Sequence, residues 1–180
     1  MGKEILLERN IRYIYMNFTE NYKFWIGGFI EGEGSISISI VKSDKASHGI
    51  LLQPEFNVAQ HKSGLNILNN LKLLFNNKGN VVQKSGSNNV WVYSIKGTSN
   101  LINIVVPFYF KYVTCYSSKF NEVEFNKFVI ILNKLKEKSH HNKIEFINLV
   151  NLVYNLNPSG KGKQRKRTLT EVIHIIKESR

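Results

Sequence analysis

Ile26-Gly27-Gly28-Phe29-Ile30-Glu31-Gly32-Glu33-Gly34 runs directly into Ser35-Ile36-Ser37-Ile38-Ser39-Ile40. The second part of this stretch alternates with strict period two. It predicts a half-buried strand with isoleucine on the core face and serine on the open face. The first part predicts the end of a helix that Thr19 caps, with Glu20 favourably placed in its first turn, running to about Gly32. Glycine costs about 1 kcal/mol in a helix interior, so three in one short helix need a reason. Gly28 and Gly32 stand four apart on one helix face, a spacing that lets two helix backbones approach closely by van der Waals packing. Glu31 and Glu33 fall where helix gives way to strand. An acid at a helix C-terminus opposes the dipole, a placement that makes sense if a cation binds there.

Outward from this stretch, residues 50–60 predict a second strand with Phe56 and Val58 inward and Asn57 outward, after a polar loop over 42–49. Ser63 can cap a helix over 65–75. Residues 81–84 and 90–95 flank Ser85-Gly86-Ser87-Asn88-Asn89 and predict a hairpin with a longer turn. Thr98 caps a further helix that Pro107 helps to end. Residues 117–137 and 143–156 have helical spacing, and Thr168-Leu169-Thr170-Glu171 is a capping box opening a last helix. Helix, two strands, helix, two strands and helices fit an α+β fold, an antiparallel sheet covered on one face. We expect a single domain over 1–180: a helical lead-in over 1–18, a core over 19–137, and C-terminal helices with a basic loop over 138–180.

The open sheet face is polar, with Ser35, Ser37, Ser39, Asn57, Asn80, Lys84 and Asn89 expected on it, and Gln53 and Gln83 placed by register. It suits a ribbon in a DNA major groove, where amides pair with adenine and lysine with guanine or phosphate. The chain carries 25 Lys and Arg against 13 Asp and Glu, a formal charge of +12, which predicts salt-sensitive attraction to a polyanion. Lys161, Lys163, Arg165, Lys166 and Arg167 form a basic run suited to phosphates outside the central site. One cysteine, Cys115, excludes a disulfide framework. No segment approaches the roughly 20 apolar residues of a membrane span, so no membrane partner is expected. The 22 Asn and 20 Ile, with abundant Lys, point to an AT-rich gene, hence to a soluble protein of a eukaryotic organelle, a mitochondrion ahead of a chloroplast.

The nine residues 26–34 resemble the signature of the LAGLIDADG homing endonucleases. Gly28, Ile30 and Gly34 are identical to it, and the other six are close substitutions. Pro54-Glu55-Phe56-Asn57-Val58-Ala59-Gln60-His61 resembles the family's second-strand end. Lys84-Ser85-Gly86-Ser87-Asn88 and Pro107-Phe108-Tyr109 resemble single-motif members encoded in introns of large-subunit ribosomal RNA genes. The similarity covers about residues 24–132.

The resemblance implies an αββαββα core with a saddle-shaped sheet over duplex DNA, and double-strand cleavage that leaves 3′ overhangs. A single motif implies a homodimer through Gly28, Phe29 and Gly32, and a long pseudo-palindromic target, placed by the subgroup in a large-subunit rRNA gene. It implies Glu33, with Gly32 beside it, at a Mg²⁺ that Mn²⁺ can replace and for which Ca²⁺ is a non-catalytic substitute. Here glutamate stands where the family more often has aspartate. Glu31 would hold the helix end, Gln60 would position water or an ion, and a lysine would sit near the scissile phosphate, Lys119 first and Lys111 second. His61 and Trp91 would face the DNA. The alternatives are an intron RNA maturase, with intron RNA as partner, and a non-cleaving DNA-binding protein on the same fold.

Overall fold

A computed structural model describes residues 18–157 and 165–179. The lead-in expected over 1–18 lies, but for Phe18, outside the described residues. Helix α1 spans Glu20–Glu33, and its N-cap Thr19 accepts a hydrogen bond from the Tyr22 N–H at 3.2 Å. It passes without a loop into β1 (Gly34–Lys42), which pairs antiparallel with β2 (Ile50–His61). Helix α2 (Leu65–Leu74) leads to β3 (Asn80–Gln83) and β4 (Val90–Lys96). The strand order is β1-β2-β4-β3: two hairpins joined by antiparallel pairing of β2 with β4. Helical run α3 (98–116), α4 (Lys119–Lys136), α5 (Lys143–Tyr154) and α6 (Leu169–Glu178) complete the described chain. The expected αββαββα order and α+β class are thus observed.

Alternation decides the layers. Ile38 on β1, Ile50, Leu52, Phe56 and Val58 on β2, and Tyr93 and Ile95 on β4 are buried against the helices. They meet Ile26 and Ile30 of α1, Leu68 and Leu71 of α2, and Phe125 and Phe128 of α4. Their strand neighbours point the other way and form the open face. Gly27 is what seats α1 on this core: a Cβ there would stand 1.9 Å from the Tyr112 carbonyl oxygen.

Two local expectations are corrected. Ser63 does not cap α2; a 3-10 turn over Lys62–Gly64 intervenes, and the imidazole Nδ1 of His61 accepts from the Ser63 N–H at 3.2 Å. Pro107 does not end its helix. The run widens into π turns at Leu101–Val105 and Tyr109–Val113, where Val106 N–H bonds Leu101 O and Thr114 N–H bonds Tyr109 O. Such widening shifts the hydrogen-bond ladder locally, which lets the helix absorb a proline that has no N–H. The capping box of α6 forms as expected: Glu171 N–H donates to Thr168 Oγ1 at 3.2 Å, and Thr168 N–H donates to the Glu171 carboxylate at 2.6 Å.

Candidate nucleic-acid cleavage site and interface

The two acids of the motif have opposite surroundings. The Glu31 carboxylate accepts three hydrogen bonds, from Ser117 Oγ (2.8 Å), the Ser118 N–H (2.9 Å) and Asn121 Nδ2 (2.7 Å). Ser118 is the N-cap of α4, so Glu31 sits at a helix N-terminus, where a negative charge is favourable. Its work is to lock the end of α1 to the start of α4, in keeping with the holding role that the resemblance implies. Glu33 is exposed, and among the described residues no side chain hydrogen-bonds it or forms an ion pair with it. It lies in the last turn of α1, against the dipole, and next to Gly34, whose partner on β2 is Val58.

That register brings Gln60 to the same end of the sheet, two residues beyond Val58. The Gln60 side chain folds back so that its Oε1 accepts from the His61 N–H at 2.6 Å. A Cβ on Gly64 would fall 2.6 Å from the Gln60 Cγ, so that glycine makes room for the amide. Lys119 opens α4, one residue after the Ser118 that Glu31 holds, and pairs with Glu122 at 3.1 Å. Lys111 is held instead at the opposite end of α1, 3.4 Å from Glu20. Burial is negligible at Glu20, yet its bonds to Lys23 and Tyr112 bring its pKa down to about 2. Glu33, Gln60 and Lys119 therefore gather around one end of α1, and Lys111 does not join them.

A divalent cation is the group the resemblance implies. Glu33 offers a hard carboxylate oxygen, unshared among the described residues, the donor type such a cation takes. Among the described residues no group of three or more His, Cys, Asp or Glu side chains is arranged to hold a metal ion. The residues fit a cation that keeps waters and takes its remaining oxygens from outside this chain; they do not fit a closed protein cage.

The register fixes the open face in rows. Ser35, Asn57, Ser94 and Asn80 form one polar row across all four strands. Ser37, Glu55 and Lys96 form the next, with Lys96 Nζ 3.5 Å from the Glu55 carboxylate. Ser39 and Gln53 follow. His61 is exposed on this side, and Lys84 and Asn89 are exposed at the β3–β4 turn. Ser94, Glu55 and Lys96 escaped the sequence reading, although the alternation of 90–96 and 50–60 carries the signal once one buried residue per strand is known.

Trp91 is a correction. It shares the inward face of β4 with Tyr93 and packs against the core, with its indole N–H buried and without a hydrogen-bond partner among the described residues. A period-two strand cannot turn Trp91 outward while Tyr93 and Ile95 are buried. Arg165 is a second correction. Its guanidinium donates to Ile38 O (3.1 Å) and Val153 O (2.6 Å) and lies over the Tyr154 ring. Loss of solvent on burial pushes its pKa down. It clamps the free edge of β1 and is not available to phosphates. Lys166 is exposed, Arg167 is half-buried, and Lys161 and Lys163 lie outside the described residues.

The outer face of α1 is uncovered. Gly28 and Gly32 have nothing within 4 Å of where a Cβ would stand. Phe24, Trp25, Phe29 and Tyr116 surround Gly28, with Trp25 51% and Tyr116 59% exposed. Trp25 stacks on Phe29 at 5.8 Å between ring centroids.

Similarities to known proteins bear on this geometry. A family model described as LAGLIDADG endonuclease matches residues 26–132. The chain is 33% identical over 132 residues to the DNA endonuclease I-CeuI of Chlamydomonas moewusii; the match covers 73% of this chain and 60% of that protein. It is 24% identical over 155 residues to the homing endonuclease I-ApeII of Aeropyrum pernix, covering 84% and 88%. Its fold resembles the archaeal intron-encoded homing endonuclease I-Vdi141I complexed with DNA, with TM-score 0.78, 29% identity, and coverage of 89% of this chain and 98% of that one. No helix among the described residues is long and apolar enough to cross a membrane.

Proposed function

The chain belongs to the LAGLIDADG endonuclease family, and on that premise we propose that it is a site-specific double-strand DNA endonuclease acting as a homodimer. The observation that carries this reading is the contrast of Glu33 with Glu31. One motif acid is fully engaged within the fold; the other has no side-chain partner among the described residues and lies at the helix end, beside a polar sheet face that can receive a duplex. The relatives that support it are named as endonucleases, and one was solved complexed with DNA. A single motif supplies one Glu33 per chain. The exposed aromatic rim around Gly28, with open space over Gly28 and Gly32, supports close approach of a second copy along α1. Two copies present a two-fold sheet, and hence a long pseudo-palindromic target.

In this mechanism Glu33, with the backbone of Gly32 beside it, would hold a divalent cation, Mg²⁺, which when bound would supply Lewis-acid chemistry for water activation and for stabilising the leaving 3′ oxygen. Gln60 orients water at the strand end, and Lys119 offers a positive charge to the scissile phosphate. Glu31 positions Glu33 by fixing the helix terminus. The sheet rows read base edges, and Lys166 and Arg167 add phosphate contacts whose strength falls with salt. The subgroup resemblance supports a target in a large-subunit rRNA gene and 3′ overhangs, and the Asn, Ile and Lys excess supports an organellar source gene.

The test is cleavage of intron-free large-subunit rRNA gene fragments in Mg²⁺, with Ca²⁺ as control, followed by a randomised duplex library if those fragments stay intact. One double-strand cut, in Mg²⁺ only and lost in Glu33→Gln, is the expected result. Salt-sensitive binding with no cut in any duplex would replace the endonuclease by a binding protein on this fold.

A further inference from the structure

The open sheet face is not uniformly polar. Ala59 on β2 pairs with Val92 on β4, and Val92 pairs with Val82 on β3, so three apolar side chains form one row across three strands. At the other end of the sheet Val41 on β1 pairs with Leu51 on β2. None of these five packs against the core. Val82 is 51%, Leu51 43% and Val41 38% exposed. The polar rows of Ser35, Ser37 and Ser39 lie between these two apolar steps. Such steps on a face otherwise built of serine and amide side chains are unfavourable in water and call for an apolar surface to meet.

On the endonuclease reading, the surface that meets this face is a DNA major groove, and the groove offers one apolar group, the thymine C5-methyl. We propose that the Ala59–Val92–Val82 row and the Val41–Leu51 step are two thymine-methyl contacts that set base preference at two separate places in each half-site. Ala59 follows Val58, the partner of Gly34. The three-residue row therefore reads next to the cleavage centre and the Val41–Leu51 step reads the outer flank. Leu51 and Ala59 are eight residues apart on β2, roughly 26 Å at the rise of a strand. At about 3.4 Å per base pair, and allowing for the slant of a ribbon in the groove, the two thymine positions stand about six to eight base pairs apart.

The probe is a randomised duplex library bound by the full chain in Ca²⁺, with the enriched duplex then rebuilt with uracil for thymine one position at a time. Uracil deletes only the methyl. The expected result is enrichment of thymine, on either strand, at two positions per half-site at that spacing, with about fourfold weaker binding for each methyl lost. In Val82→Ser/Val92→Ser the inner position becomes indifferent to uracil and the outer does not; in Leu51→Ser the reverse holds. The uracil measurement on the unmodified chain stands even if a variant folds poorly. A duplex that is enriched and cut in Mg²⁺ yet indifferent to uracil at every position overturns this proposal alone. A library with no enrichment overturns it together with the endonuclease reading.

Discussion

On its inner side α1 is packed to contact: Gly27 leaves no room for a methyl group against the Tyr112 carbonyl, and Glu31 has a donor for each carboxylate oxygen. On its outer side and at its tip the same helix is unfinished: Gly28 and Gly32 face open space, and Glu33 has no partner among the described residues. Residues one or two apart in sequence, of the same type, therefore do different work. A motif of glycines and acids is thus two interleaved sets, split by the helical period. One set builds the fold; the other is left for what lies outside the chain.

The sharpest test of that split is at the acids. Glu33→Gln is expected to lower cleavage by roughly 10³-fold or more, because the ligand's charge is lost, with duplex binding and the unfolding midpoint unchanged. Glu31→Gln should do the reverse in emphasis. It weakens charge-assisted bonds and lowers stability by about 1.5–3 kcal/mol, with a smaller loss of cutting; urea unfolding beside single-turnover cleavage separates the two. If Glu33→Gln unfolds the protein as Glu31→Gln does, the division between the acids is wrong.

The glycines supply the next comparison. Gly27→Ala forces a methyl against backbone and should destabilise the chain by about 1–3 kcal/mol. Gly28→Ala should raise helix stability by up to about 1 kcal/mol and weaken self-association, and Gly28→Leu should weaken it further. Denaturant unfolding and sedimentation, taken together, read both. A Gly28→Leu chain that still dimerises would move the interface off this face.

The smallest effect expected is at the far end of α1. Glu20 is held at a pKa of about 2 by its bonds to Lys23 and Tyr112 and by Lys111. A depressed folded-state value means that this cluster helps the fold above the ordinary carboxylate range and stops helping as pH falls toward 2. An NMR titration of Glu20 should show that low value, and Lys111→Ala should raise it modestly without touching cleavage. A loss of cutting in Lys111→Ala would instead bring that lysine into the site.

Much of this was legible in the chain. The alternation over 35–40 fixes which side of β1 is buried, because the side-chain period of a strand is two and isoleucine is driven from water. The caps at Thr19 and Thr168 were legible for a similar reason: they satisfy local N–H groups with side chains a few residues away. The nine residues 26–34, through their family resemblance, imply Glu33 as a cation ligand, which is the role proposed for it. Local rules could not place Trp91, because a strand of Val, Trp, Val and Tyr has no polar face to mark its outside, and pairing with β2 had to choose it. Nor could they tell Arg165 from the other basic residues of its run. Its charge reads as a phosphate contact until the chain folds back and two carbonyls, on Ile38 and Val153, claim it. What sequence settles is what short-range geometry and burial periodicity settle. The partners of a side chain more than a few residues distant come from tertiary packing, which here separates the acid and the glycine that hold the fold from those that face outward.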